Sequence, residues 1–228
     1  MIEDLLTADC AVAEAFDDSA AVALFPQEAA LMEGRVARRR RQFATGRSCA
    51  RRALGRLGVP PAPLLPGPGG APVWPQGVVG SITHCDGYLA AAVAPARAVA
   101  AVGIDAEPAL PLPEGVLSLV AGPEEQEALS AFGTEGAAAC RDRLLFSAKE
   151  AVYKAWYPRA RRWSALREIR VVLDPGGTFT ARPPARGPAG AAQHDYSGRW
   201  LVRSGLLLAA VLEPAPAGHP SRLFRLSS

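Results

Sequence analysis

Twice along this 228-residue chain, a long stretch of helical periodicity is followed by short apolar runs broken at turn residues. The first helical stretch runs from Gln27 to Leu57, with Ala29, Ala30, Met32 and Val36, then Phe43, Ala50, Ala53, Leu54 and Leu57 on its apolar side. Gly58 and Pro60-Pro61 close it. After a Pro/Gly-rich loop come three strand-like runs, Val78–Cys85, Tyr88–Ala94 and Val99–Asp105, the last two read as a pair joined by Pro95-Ala96-Arg97. The second half repeats the order. Pro123–Phe132 reads as a helix, and Leu144, Leu145, Ala148, Val152, Ala155 and Trp156 form the stripe of another, with Pro158 as its stop. Two hairpins follow: Ile169–Leu173 with Thr178–Ala181, then, after a Pro/Ala/Gly-rich loop near 182–198, Trp200–Val202 with Leu206–Leu212 around Ser204-Gly205. Helix first and antiparallel strands second, in each half, predicts an α+β fold of two similar lobes, 1–105 and 106–228, with sheets packed against helices. No residue-level repeat is present, so pseudo-two-fold symmetry rests on element order alone. Residues 1–26 read as an edge segment.

Within that frame the stretch Phe146-Ser147-Ala148-Lys149-Glu150-Ala151-Val152-Tyr153-Lys154-Ala155-Trp156 carries an unusual choice of cation. Of the 25 basic residues only two are lysines, Lys149 and Lys154, and they flank Glu150. Lys is a compact point charge whose pKa moves on burial, whereas Arg is a fixed planar fork. Glu150 and Lys154 are four apart and share a helix face with Tyr153. An ordinary solvated Glu-to-Lys pair is the alternative reading of that spacing.

A second acidic pair lies at the end of a strand. Asp105 and Glu107 are two apart and point to one face, where two carboxylates repel unless a cation sits between them. A hard divalent ion such as Mg²⁺ meets that need, with Glu150 as a third oxygen donor. Two exposed acids on a fraying strand are the competing reading. His84, beside the hydroxyls of Ser81 and Thr83, could grip a phosphate. The run Arg38-Arg39-Arg40-Arg41 fans out by about 100° per residue on a helix, so most of it faces solvent. Arg39, Arg40 and Arg47 fall nearer the Val36/Phe43/Ala50 side, from which a guanidinium could reach a bound phosphate.

Net charge is +3, which suits an anionic small ligand or an acidic partner without indicating nucleic acid. Cys10, Cys49, Cys85 and Cys140 lack zinc-site spacing. Reduced thiols, an acidic N-terminus and no long apolar run predict a cytosolic chain without a membrane span. There is no P-loop, dinucleotide fingerprint or Ser-His-Asp elbow.

Taken together, Gly80-Ser81-Ile82-Thr83-His84-Cys85, Gly103-Ile104-Asp105-Ala106-Glu107 and the Phe146–Trp156 stretch resemble the signature of the 4′-phosphopantetheinyl transferases. Gly46-Arg47-Ser48-Cys49-Ala50-Arg51 and Ala71-Pro72-Val73-Trp74-Pro75-Gln76-Gly77 match the two-lobed, surfactin- and enterobactin-type branch of actinobacteria. The resemblance covers roughly residues 27–212 and implies that family's two-lobed fold.

It also implies that coenzyme A donates its phosphopantetheine arm to a serine of an acyl or peptidyl carrier protein, releasing adenosine 3′,5′-bisphosphate. By motif position, Asp105, Glu107 and Glu150 would hold Mg²⁺, while His84, Arg47 and Arg39 would bind coenzyme phosphates. Lys149 and Lys154 match two motif lysines, Lys154 steadying the pyrophosphate or leaving group. Tyr153 and Trp163 would line the pantetheine channel. Glu150 is the expected base, with Glu107 or a bound water as alternatives. One departure stands out: the family commonly places Lys or Arg in the loop before Pro-x-Trp-Pro, yet Leu64 to Val73 carries no charge, so arginines of the second helix are expected to compensate. A Mg²⁺-dependent phosphohydrolase and a non-enzymatic nucleic-acid binder are the other classes open at this point. Both lobes on one chain would let a monomer hold a complete site.

Overall fold

Alternation along the strands decides the layers of this protein. A computed structural model describes residues 1–18, 22–132, 140–184 and 195–216. Strands β1 (Ala11–Ala15), β2 (Val78–Cys85) and β3 (Tyr88–Pro95) form an antiparallel sheet in the order β1-β3-β2. β4 (Val99–Pro108), β5 (Arg170–Asp174), β6 (Thr178–Arg182), β7 (Tyr196–Arg203) and β8 (Leu206–Pro214) form a second, in the order β4-β8-β7-β6-β5. Short helices α1 (Pro26–Ala30), α3 (Val116–Val120) and α4 (Pro123–Ala131) accompany two 20-residue helices, α2 (Ala37–Arg56) and α5 (Arg141–Ala160). Among the described residues no helix is long and apolar enough to cross a membrane.

Side chains two apart share a sheet face. Ala90, Ala92 and Ala94 of β3, Val102, Ile104 and Ala106 of β4, and Leu206, Leu208 and Ala210 of β8 meet in one core between the two sheets. The alternate residues face outward to the helices. Ala91 and Val93 pack on Cys49, Ala50, Ala53 and Leu54 of α2. Ala101, Leu207, Ala209 and Val211 pack on Leu144, Ala148, Ala151, Val152 and Ala155 of α5. Asp105 and Glu107 have the parity of Ala101 and Gly103, so they belong to the face that α5 covers.

The α+β architecture with antiparallel sheets is as expected, but the sheets hold three and five strands, so symmetry between lobes is not evident. β3 and β4 were read as a pair joined at Pro95-Ala96-Arg97. They are consecutive but lie in different sheets: β3 pairs with β1 and β2, and β4 pairs with β8. The hairpin turn is instead Asp86-Gly87, between β2 and β3. The chain changes sheets at Ala96–Ala98, and the expected boundary at 105/106 falls inside β4. The helical stretch Gln27–Leu57 is two helices, α1 and α2, separated at Leu31–Val36.

Pro158 does not stop α5, which runs on to Ala160 and ends at Arg161 in the left-handed region (φ 49°). A proline in the last turn removes one bond, that to Lys154 O, while its φ still suits the helix. The Ser204-Gly205 turn closes β7–β8 with both φ values positive (52° and 74°), the twist a two-residue hairpin needs. Most of the Pro/Ala/Gly-rich loop near 182–198 lies outside the described residues.

Candidate active site

Gly103 allows the site to form. A Cβ there would lie 1.9 Å from Ala151 O and 2.8 Å from Ala155 N, so the helix backbone rests directly on β4. That close approach carries Lys154 onto the acid two residues further along the strand. Lys154 Nζ donates to Asp105 Oδ1 at 2.7 Å and to Ile104 O at 3.2 Å, and lies 3.4 Å from Thr83 Oγ1. Asp105 is buried, and its other oxygen, Oδ2, is buried without a hydrogen-bond partner.

Ser81 and Thr83 join the two sheets at this point. The Ile104 amide donates to Ser81 Oγ at 3.1 Å and the Ala106 amide to Thr83 Oγ1 at 3.0 Å. Thr83 Oγ1 in turn donates to Asp105 Oδ1 at 3.1 Å. Both hydroxyls are buried; Thr83 spends its proton on Asp105, whereas Ser81 accepts from β4 and its proton has no acceptor among the described residues.

Glu107 is held at 2.7 Å by Arg143 Nη1, whose guanidinium also donates to Leu110 O and Pro111 O. Arg143 was missed in the sequence. It stands seven residues, two turns, before Glu150 on one helix face, and that offset was the available signal. The half-buried Glu150 carboxylate makes no hydrogen bond or ion pair among the described residues. Burial pushes its pKa up; Lys154 opposes this, and Asp105 and Glu107 add to it. Glu107 is also raised, by burial first and then by Asp105, against Arg143 and Lys154. The two segments therefore share one acidic field.

Glu150, Tyr153 and Lys154 line a cavity of about 250 Å³, with Ser81 and Ile82 of β2 and the loop residues Gly69–Pro72 and Trp74. Tyr157 also lines it, stacked on Tyr153 with centroids 5.4 Å apart. At the β2 end, Arg39 Nη1 lies 3.1 Å from exposed His84 Nε2. Arg cannot accept, so that nitrogen of the imidazole must. Partial desolvation, with Arg39 and Lys154 nearby, lowers the His84 pKa and favours the neutral ring. Arg47 is buried against the Phe43 ring, and its Nε donates to Leu64 O at 2.7 Å.

Of the predicted residues, Ser81, Glu150, Tyr153 and Lys154 line this cavity, and Asp105 and Thr83 are tied to it through Lys154; Lys149 and Trp163 have no such link. Lys149 is fully buried on the opposite side of α5 and donates to Val120 O, Glu125 Oε2 and Leu166 O. Its donors are consumed by α3, α4 and the segment before β5, so it is not brought to the cleft. Trp163 is 79% exposed beyond the end of α5 and is not among the cavity residues.

The donor chemistry at Asp105, Glu107 and Glu150 fits a hard cation. It comprises an orphaned buried Asp105 oxygen, an unengaged Glu150 carboxylate, and two acids whose pKa values are raised partly by neighbouring carboxylates. Among the described residues no three such groups converge as a finished metal shell, because Lys154 and Arg143 hold Asp105 and Glu107.

Comparison with known proteins identifies the family. Residues 27–94 match the family model for the 4′-phosphopantetheinyl transferase N-terminal domain, and residues 101–210 that for the 4′-phosphopantetheinyl transferase superfamily. The chain is 50% identical to the 4′-phosphopantetheinyl transferase Svp of Streptomyces mobaraensis, over 91% of this chain and 85% of that protein. It is 44% identical to Npt of Nocardia iowensis, covering 92% and 99% of the two chains. It is also 44% identical to PptT of Mycobacterium tuberculosis, covering 90% and 92%. With both halves matched in order and relatives aligned almost end to end, this chain is an enzyme of the 4′-phosphopantetheinyl transferase superfamily.

Proposed function

We propose that the chain transfers the phosphopantetheine arm of coenzyme A to a serine of an apo acyl or peptidyl carrier protein, releasing adenosine 3′,5′-bisphosphate. Mg²⁺ would be held by Asp105, Glu107 and Glu150. The observation that supports this reading is the ion pair of Lys154 with buried Asp105, which joins β4 to the part of α5 that, with β2 and the 69–74 loop, lines the cavity beside Glu150. Neither segment makes such a site alone.

In the reaction the serine oxygen forms a bond to the phosphorus bearing the pantetheine arm, and the bond from that phosphorus to the bridging oxygen of the pyrophosphate breaks. Such transfers need positioning and charge neutralisation more than covalent help. A bound divalent ion supplies Lewis-acid neutralisation of pyrophosphate oxygens. Lys154 contributes a fixed positive charge beside Asp105 for the leaving phosphate. Glu150 accepts the serine proton, directly or by way of a bound water, because its carboxylate has no protein partner among the described residues. Glu107 is the weaker candidate because Oε2 is committed to Arg143. Arg39 and His84 sit at the β2 end as phosphate donors, and Arg47 keeps both Nη atoms clear of protein acceptors among the described residues. Tyr153 and Tyr157 offer aromatic wall to the arm. One chain supplies every residue named, so a monomer suffices for a complete site.

The test is mass analysis of an apo carrier after incubation with coenzyme A and Mg²⁺. The carrier should gain the arm, and Asp105→Asn or Glu150→Gln should slow that gain by about 100-fold or more. Release of the free arm without carrier modification, or wild-type rates in both variants, would overturn the proposal.

A further inference from the structure

Glu28 lies on α1, far along the chain from the cleft residues, and is fully buried. Its carboxylate accepts hydrogen bonds from the Phe25 amide at 3.1 Å, the Leu64 amide at 2.9 Å, and Arg51 Nη1 at 2.9 and 3.0 Å. Arg51 also donates to Ala23 O at 3.1 Å. Since Arg47 Nε binds Leu64 O, both backbone polar groups of Leu64 are held by charged side chains. The Leu64 side chain is buried among Cys49, Ala50, Ala53 and Leu54 of α2. Burying a carboxylate is costly, and here it ties the start of α1 and Arg51 of α2 to the root of a loop.

From that root the chain doubles back on itself. Val73 N donates to Leu65 O at 2.9 Å and Gly67 N to Ala71 O at 2.8 Å, with Pro66 and Pro72 bridged between them. The tip reaches across to α5, where a Cβ on Gly69 would lie 2.1 Å from the Tyr157 hydroxyl. Gly69–Pro72 and Trp74 thus wall the cavity together with Glu150 and Lys154. Leu64 to Val73 contains no charged side chain. This loop can serve an anionic ligand only through backbone amides and shape, and both depend on where it is held.

We infer that Glu28 is a positioning residue for coenzyme binding: with Arg51 it fixes the root of the 64–74 loop and so sets the width of the cleft. The inference rests on coenzyme A being the ligand of that cleft. Glu28→Gln keeps the shape of the side chain and removes its charge. It should raise KM for coenzyme A about tenfold, the loss expected for one charged hydrogen bond, with kcat and the carrier KM held within about twofold. Glu28→Asp, which keeps the carboxylate, should recover much of the loss. Hydrogen exchange should rise over residues 62–74 in Glu28→Gln and stay unchanged over 141–160. If Glu28 variants do not fold, Gly69→Ala, at the exposed end of the same loop, should give the same rise in KM. An unchanged coenzyme KM despite faster exchange, or equal losses in kcat and both KM values, would overturn the inference. A wild-type chain that transfers nothing from coenzyme A would overturn the proposed function instead, and exchange at 62–74 would still report whether Glu28 anchors the loop.

Discussion

Lys149 and Lys154 lie five residues apart on one helix and do opposite work. Lys154 is part-exposed and meets Asp105 at the cleft. Lys149 points the other way, its ammonium enclosed by two carbonyls and Glu125, and burial lowers its pKa against the pull of that partner. Glu125 in turn accepts from the Gly122 and Val171 amides, so the pair ties α4, β5 and α5 together. Replacing Lys149 by Met should destabilise the fold by about 2–4 kcal/mol, because the part-buried Glu125 is left without its counter-ion. Urea unfolding would show this, while the coenzyme KM of the folded fraction should not change. Normal stability with a raised KM would return Lys149 to the coenzyme site.

At the level of elements, the contact between β4 and α5 controls the chemistry. The helix touches the strand at Gly103 through Ala151 O and Ala155 N, groups that cannot rotate away as a flexible side chain could. Gly103→Ala should therefore lift α5 from β4, at the upper end of about 1–3 kcal/mol for overpacking. Glu150 and Lys154 move with the helix, so carrier modification should fall further than the loss of folded protein accounts for. Thermal unfolding and carrier mass analysis on the same samples would separate the two effects. Full activity in a destabilised variant would show that the helix position is not critical.

Across the molecule, the two sheets meet at a seam made by side chains. β4 offers its Ile104 and Ala106 amides, two residues apart, to Ser81 and Thr83, also two apart on β2. Hydroxyls replace the carbonyls of an ordinary ladder, which leaves room for Asp105 and Lys154 at the junction. Thr83→Val should cost about 1–3 kcal/mol by orphaning the buried Ala106 amide, and should lower activity because Asp105 loses a donor. Thr83→Ser should restore both. If Val and Ser variants match in unfolding midpoint and rate, the seam does not position Asp105.

How much of this was legible beforehand differs by kind of feature. Helical and two-residue periodicities gave the helices, the hairpins of the second half and the shared face of Asp105 and Glu107, since side-chain alternation is written locally. The motif stretches also pointed to the acids and to Lys154. The roles of polar residues with distant partners were not legible: Ser81 and Thr83 at the seam, Arg47 on Leu64, Arg143 on Glu107, Glu28 under the loop. The change of sheet between β3 and β4 was hidden for the same reason, because two apolar runs and a short turn look alike whether the strands pair or part. The sequence by itself determined the helical or alternating period of most elements and which way those strands face, because those follow from neighbours along the chain. Only the tertiary structure decided which lysine reaches the cleft and which is walled in, because that depends on what other segments bring to each side of the helix.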